Sequence, residues 1–98
     1  MSSTTFYVLI SIRTSDGFER VGKYNLGNNR KTATTIFRQL KGSHDADLKT
    51  MLTMELEETM NGLPVNLQML ACTLEELAYN TKIIVKEKFK VLNLKERK

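Results

Sequence analysis

Few side chains in this 98-residue sequence have the types and spacing that chemistry requires. His44 is followed by Asp45 and Asp47, which could bind a metal ion, but no second histidine or nearby cysteine completes a closed site. Cys72 could act as a nucleophile only with a base within hydrogen-bonding distance, and its spacing from His44 does not indicate such a pair. We therefore predict no metal site, no cofactor and no catalytic residue.

Three carboxylates lie within one predicted strand. Glu55 and Glu57 are two residues apart, so they share one face of the strand, while Glu58 lies on the other face. Paired carboxylates can transfer protons, but we favour an acidic surface exposed to solvent, because no pocket signal accompanies them. We predict that the protein is not an enzyme, since no nucleophile, base and orienting group can be assembled from its residues.

A helix start near residue 30 is a candidate anion-binding site. Arg30 and Lys31 fall in the first turn of a predicted helix, where positive charges oppose the helix dipole. A phosphate held by the free backbone amides would relieve this conflict. The alternative is a tolerated surface charge, which costs only about 0.3–1 kcal/mol. The predicted site comprises Asn28, Asn29, Arg30, Lys31 and Thr32.

Lysines recur every four residues along the last predicted helix, which gives that helix a basic flank. Together with basic residues of the shorter helix, this flank can contact nucleic-acid phosphates without sequence preference. The predicted contacts are Arg38, Lys41, Lys82, Lys86 and Lys90. A solvated lysine face is the favoured alternative, because Tyr7 is the one ring predicted on the uncovered sheet face for base stacking.

Apolar side chains outside the predicted core indicate a surface for protein association. Some lie on the last helix near the side opposite its predicted core stripe, and others lie on the sheet face that no helix covers. The predicted interface comprises Tyr79, Ile83 and Leu94 on the helix and Tyr7, Leu9, Val21 and Leu70 on the sheet. A homodimer or another protein partner would fit this surface.

The first two predicted strands form a hairpin. Apolar and polar residues alternate from Phe6 to Ile12, which is the period of a strand with one dominant apolar face. A second strand, Phe18 to Leu26, follows a three-residue loop that ends with Gly17 in the left-handed conformation. The predicted pairs are Phe6 with Leu26, Val8 with Tyr24 and Ile10 with Gly22.

A short helix and a second hairpin come next. The helix has about three turns, and its apolar side comprises Ala33, Ile36, Phe37 and Leu40. Asn61-Gly62 predicts a two-residue turn between the third and fourth strands. The predicted pairs are Met60 with Leu63, Leu56 with Leu67 and Met54 with Met69. Pro64 indicates that the fourth strand is an edge strand or has an unpaired amide near its start.

The strongest pattern predicts a long helix between Cys72 and Leu94. Thr73 and Glu76 have the spacing of a capping box, which places the beginning of the helix. The apolar stripe that we expect to face the core comprises Leu74, Leu77, Ala78, Thr81, Ile84, Val85, Phe89, Val91 and Leu92.

These elements predict a two-layer α+β fold of order ββαββα, with four mainly antiparallel strands and two helices on one face. The length predicts a single domain with an ordered core of about residues 5–94. The pattern does not determine the strand order. A lone cysteine and an N-terminal apolar run of seven residues without a preceding basic region predict a cytoplasmic protein with no signal peptide and no membrane association.

The net charge of +4 is unevenly distributed. Residues 1–41 contain seven basic and two acidic side chains, residues 42–81 contain one and seven, and residues 82–98 contain seven and two. This alternation fits polyanion binding or, as we favour, intramolecular complementarity. The predicted function is a small non-enzymatic module that associates with a protein, and the alternative is binding of nucleic acid or phosphate.

Overall fold

The structure, a computed structural model, describes the backbone of residues 3–45 and 49–96 and the side chains of residues 3–45 and 49–90. The elements are β1 (Thr4–Thr14), β2 (Gly17–Gly27), α1 (Arg30–Arg38), β3 (Leu52–Met60), β4 (Leu63–Cys72) and α2 (Leu74–Glu96). All strand pairs are antiparallel, and the sheet order is β2-β1-β3-β4. The predicted α+β fold of order ββαββα is confirmed.

The hairpin of β1 and β2 has the predicted register in its middle, although its turn differs from the prediction. The turn lies at residues 15–16, one residue shorter than predicted, and Gly17 follows with a φ of 117°. A bulge in β2 opposite the step from Ile10 to Ser11 restores the predicted register, and a second bulge changes it again near Phe6. The resulting pairs are Ile10 with Gly22, Val8 with Tyr24, and Phe6 with Gly27 instead of the predicted Leu26.

The hairpin of β3 and β4 has the predicted turn, but its register shifts within the strands. Asn61 and Gly62 have φ values of 52° and 84°, as the predicted turn requires. A bulge opposite the step from Leu56 to Glu57 shifts β4 by one residue. Leu70 therefore faces the helices, where it is 3% exposed, and its predicted place on the uncovered sheet face is wrong. The pairs are Met60 with Leu63, Leu56 with Gln68 and Met54 with Leu70.

The hydrophobic core lies between the sheet and the two helices. Helix α1 packs on β1 and β2, while α2 packs on β4 and on α1. Asn29 caps α1, because its side-chain oxygen accepts a hydrogen bond from the Thr32 amide at 2.9 Å. The buried residues of α1 are Ala33, Ile36 and Phe37. The fully buried sheet residues that face the helices are Phe6, Val8, Met54 and Leu56.

Helix α2 begins as predicted. The Thr73 amide donates to the Glu76 carboxylate at 2.9 Å, and the Glu76 amide donates to the Thr73 hydroxyl at 3.1 Å. These reciprocal bonds form the predicted capping box.

The side of α2 that faces the core differs from the predicted stripe. Asn80 and Ile84 are fully buried, and Leu77 and Ile83 pack partly buried against the core. The prediction that Ile83 lies on the outer side is therefore wrong. Four members of the predicted core stripe are instead exposed, namely Leu74, Ala78, Val85 and Phe89. Val91 and Leu92 lie outside the residues whose side chains are described.

A polar residue determines this orientation of α2. The side-chain oxygen of Asn80 accepts from the Lys41 amide at 2.7 Å, and its side-chain nitrogen donates to the Lys41 carbonyl at 2.8 Å. The side chain thus pairs with both backbone groups of one residue, as a neighbouring strand would. Burial of an amide side chain is tolerated here because its polar atoms have hydrogen-bond partners.

Replacement of Asn80 by alanine tests this contact. Asn80→Ala leaves the amide and carbonyl of Lys41 without their side-chain partner, so we expect the free energy of unfolding to fall by about 2–4 kcal/mol. Urea denaturation followed by circular dichroism measures the change.

Asn66→Ala is the matched control. Asn66 is exposed and donates one hydrogen bond to the Glu55 carboxylate, so its loss should change the free energy by less than about 0.5 kcal/mol. Equal effects of the two substitutions would contradict the role assigned to Asn80.

Candidate interaction surface on the second helix

The predicted anion site contains an intramolecular ion pair. The guanidinium of Arg30 donates to the carboxylate of Glu58, a β3 side chain that is largely buried, and lies 5.7 Å from the centre of the Phe6 ring. The Thr32 amide already donates its hydrogen bond to the side-chain oxygen of Asn29. The charge conflict that motivated an anion is therefore relieved within the chain, and anion binding at residues 28–32 stays a prediction. The sequence pattern does not reveal Glu58 as the partner, because the pairing depends on how α1 packs against the sheet.

The carboxylates and the thiol considered for catalysis make contacts within the fold. Glu55 accepts a hydrogen bond from the Asn66 side chain at 2.7 Å, and Glu57 accepts one from the Thr59 hydroxyl at 2.9 Å. Cys72 is 7% exposed. Its thiol lies 3.5 Å from the Lys41 carbonyl oxygen, which it can donate to. These hydrogen bonds hold the side chains of Glu55, Glu57 and Cys72 in place within the fold.

The possible metal ligands that the sequence analysis considered and rejected are only partly described. Asp47 lies outside the described residues, while His44 and Asp45 lie in the exposed segment after α1. Within residues 3–45 and 49–96, no group of three histidine, cysteine, aspartate or glutamate side chains could hold a metal ion.

The predicted sheet residues contribute little exposed apolar surface to the face opposite the helices. Leu9 is on this face but is only 1% exposed, between its cross-strand neighbours Lys23 and Glu55. The ammonium of Lys23 lies 4.1 Å from the centre of the Tyr7 ring. Val21 is exposed, but it lies at a bulge of the edge strand β2. The predicted sheet residues therefore do not form a continuous apolar patch.

The predicted basic residues lie around one flank of α2. The ammonium of Lys41 reaches α2, where it lies 4.3 Å from the centre of the Tyr79 ring. Tyr79, Lys82 and Lys86 are spaced by three and four residues, so they follow one side of the helix. Lys90 continues this flank and lies 3.6 Å from the Glu87 carboxylate. Arg38 is exposed on α1, and Leu94 lies outside the residues whose side chains are described.

An exposed apolar stripe runs along the same helix beside this basic flank. Leu74 and Val85 are 72% and 52% exposed, and Phe89 is 64% exposed. Ala78 and Thr81 lie between them, and the spacing of four, three, four and four residues places the stripe on one helix face, along roughly 22 Å of the helix axis. Lys82 and Lys86 border it. We call this surface the apolar stripe, and it comprises Leu74, Ala78, Thr81, Val85 and Phe89.

A signal for this stripe exists in the sequence. The predicted apolar side of α2 is broader than one packing contact requires. Besides the positions of the apolar stripe, it includes a second set at Leu77, Ile84 and Val91, which the polar Asn80 interrupts. Two apolar sides on one helix indicate two contacts, one with the core and one elsewhere. The periodicity alone does not say which side is buried.

Comparison with known proteins does not assign the stripe. No family model, curated protein sequence or solved structure matches this chain. None of the helices among the described residues is long and apolar enough to cross a membrane.

The environment of Cys72 predicts how stability changes with pH. Burial, with a smaller contribution from the Glu76 carboxylate, raises the pKa of the Cys72 thiol from 9.0 to about 11. The folded state therefore binds this proton more tightly than the unfolded state. This difference in proton binding contributes to the free energy of unfolding. The contribution is fully present below pH 9 and is lost as the pH rises towards about 11.

We expect the free energy of unfolding to fall more steeply with pH in the native chain than in Cys72→Ala, by at most about 1.4 kcal/mol per pH unit. Urea denaturation of both chains at several pH values between about 8 and 11 measures the difference. Other groups also titrate in this range, so the variant serves as the control for them. Parallel curves would contradict the assigned pKa.

Proposed function

We propose that this protein is a small non-enzymatic module that binds a protein partner through the apolar stripe of α2. The observation that supports the proposal is the exposure of Leu74 and Val85, at 72% and 52%, on a helix whose opposite side is anchored in the core. Contiguous exposed apolar surface rimmed by polar groups marks interaction sites in soluble proteins. The association surface proposed here differs from the predicted sheet face, which is largely polar.

The shape of the stripe favours contact with another helix. Leu74, Ala78, Thr81 and Val85 are spaced four, three and four residues apart, which is the spacing of side chains that interlock between two packed helices. Such a helix can also lie in an apolar groove of a partner. The small side chain of Ala78 allows the partner backbone to approach closely.

The proposal of a non-enzymatic module rests on the contacts of the reactive side chains. The raised pKa of Cys72 keeps its thiol protonated near neutral pH, where a thiol is a weak nucleophile. Glu58 pairs with Arg30 on the side of the sheet that carries the helices. We also propose that the protein acts in the cytoplasm, because a lone buried thiol suits a reducing compartment.

Photo-crosslinking in cells of the source organism tests the proposed surface. A photo-reactive phenylalanine analogue in place of Val85 should form a specific adduct of higher mass, because the side chain at this position would contact the partner. The adduct should persist after nuclease treatment, as measured by gel electrophoresis, and should contain a peptide crosslinked to residue 85, as measured by mass spectrometry.

The same analogue in place of Lys31, an exposed residue of α1, is the matched control and should give no specific adduct. If neither position gives an adduct, the proposed function is wrong. An adduct that nuclease shortens would instead favour nucleic acid as the ligand.

Nucleic-acid binding is the second candidate function. The observation that favours it is the position of Lys41 over the Tyr79 ring, which adds a third basic side chain to the flank of Lys82 and Lys86. A cluster of lysines beside an exposed aromatic ring can contact phosphates and stack against a base.

Fluorescence anisotropy with labelled single-stranded and duplex oligonucleotides tests this candidate. We expect affinity that falls linearly with the logarithm of salt concentration, because bound lysines release counterions. Reversal of charge in Lys82→Glu/Lys86→Glu should abolish binding, while the uncharged substitution Val85→Ser should retain it. Absence of binding by the native chain at low salt would remove the second candidate.

A further inference from the structure

We propose that the partner is a second copy of this chain, and that the two α2 helices pack antiparallel through their apolar stripes. The inference rests on the proposed function and names the occupant of the same surface. Two observations support it: the charge pattern of α2 and the arrangement of side chains along the stripe.

The charge pattern of α2 favours an antiparallel pair. The helix begins with Glu75 and Glu76 in its first turn and continues with lysines from Lys82 onwards. A parallel pair would align the lysine-rich segments of both copies, and like charges in close contact repel. An antiparallel pair places the acidic start of each helix beside the lysine-rich part of the other. Glu75 and Lys86 lie on the same flank of the stripe, so a two-fold axis would bring them together twice. The same axis would bring the two copies of Lys82 together once, so attractive contacts on this flank outnumber repulsive ones.

The stripe has a centre that suits such an axis. Thr81 lies midway between Leu74 and Phe89, with Ala78 and Val85 at intermediate positions. In an antiparallel pair centred on Thr81, the large ends of the stripe meet each other and Ala78 meets Val85. The small residues near the middle let the helix axes approach, as close helix packing requires.

The stripe faces away from the contact that anchors α2. Tyr79 and Asn80 contact Lys41, in the segment that follows α1. Val85 lies about 120° around the helix from Tyr79 and about 140° from Asn80. A second copy on the stripe would therefore not compete with this contact.

Sedimentation equilibrium of the purified chain is the first test. We expect a dimer that Val85→Glu converts to a monomer with unchanged circular dichroism, because the substitution places a charge within the contact, against Ala78 of the second copy. Lys31→Glu, on α1, should remain dimeric. A native chain that is monomeric at high micromolar concentration would overturn the inference.

Charge exchange tests the orientation. Glu75→Lys and Lys86→Glu should each weaken the dimer about threefold or more, since each loses two exposed ion pairs and creates two repulsive contacts. The double variant restores both pairs, so its affinity should return towards that of the native chain. Additive weakening in the double variant would overturn the antiparallel arrangement.

Disulfide trapping gives an independent readout of orientation in a Cys72→Ala background. Thr81→Cys lies near the proposed axis and should form an intermolecular disulfide with oxidised glutathione. Leu74→Cys should not, because the two copies of residue 74 would lie at opposite ends of the contact. A disulfide from Leu74→Cys, with or without one from Thr81→Cys, would overturn the antiparallel pair in favour of a parallel one, because a parallel pair brings both positions beside their own copies.

Failure of the dimer and failure of the proposed function are distinguishable. A monomeric purified chain that still gives a protein adduct from position 85 in cells would retain the proposed function with a different partner. A monomer that gives no adduct would overturn both.

Discussion

The orientation of the second helix depends on one buried side chain, Asn80. Its amide pairs with both backbone groups of Lys41, at 2.7 and 2.8 Å, and so joins α2 to the segment that leaves α1. Rotation of α2 about its axis would break both bonds and leave buried polar groups without partners, which costs more than the loss of an exposed contact. The same contact places Ile84 in the core and leaves Val85 exposed on the outer side.

The charges of the chain are arranged around this core in two ways. Arg30, from the basic first part of the sequence, pairs with Glu58 from the acidic middle part, so part of the alternation is satisfied within the fold. Lys82 and Lys86, from the basic last part, instead border the exposed apolar stripe. A helix that combines a buried side, an apolar outer side and charged flanks is suited to association, because the flanks select the orientation of whatever covers the outer side.

Much of the fold could be predicted from local patterns. Alternation located the strands, Asn61-Gly62 located the second turn with positive φ at both residues, and Thr73 with Glu76 located the beginning of α2. These signals are local, because a hairpin turn or a helix cap depends on residues that are only a few positions apart in the sequence. The three bulges were not predictable, because each depends on how two strands twist and pack together. The bulge in β4 moved Leu70 from the uncovered face to the core.

The apolar stripe of α2 likewise depends partly on local sequence and partly on the packing of distant segments. The sequence by itself determined that α2 is a long helix with more apolar surface than one contact needs and with an acidic beginning followed by lysines. Only the tertiary structure decided which apolar side is buried, because that choice depends on the pairing of Asn80 with a backbone 39 residues away. It also decided the strand order, which makes β2 and β4 the edge strands. Periodicity reports that a helix has an apolar side, whereas burial depends on packing between distant segments.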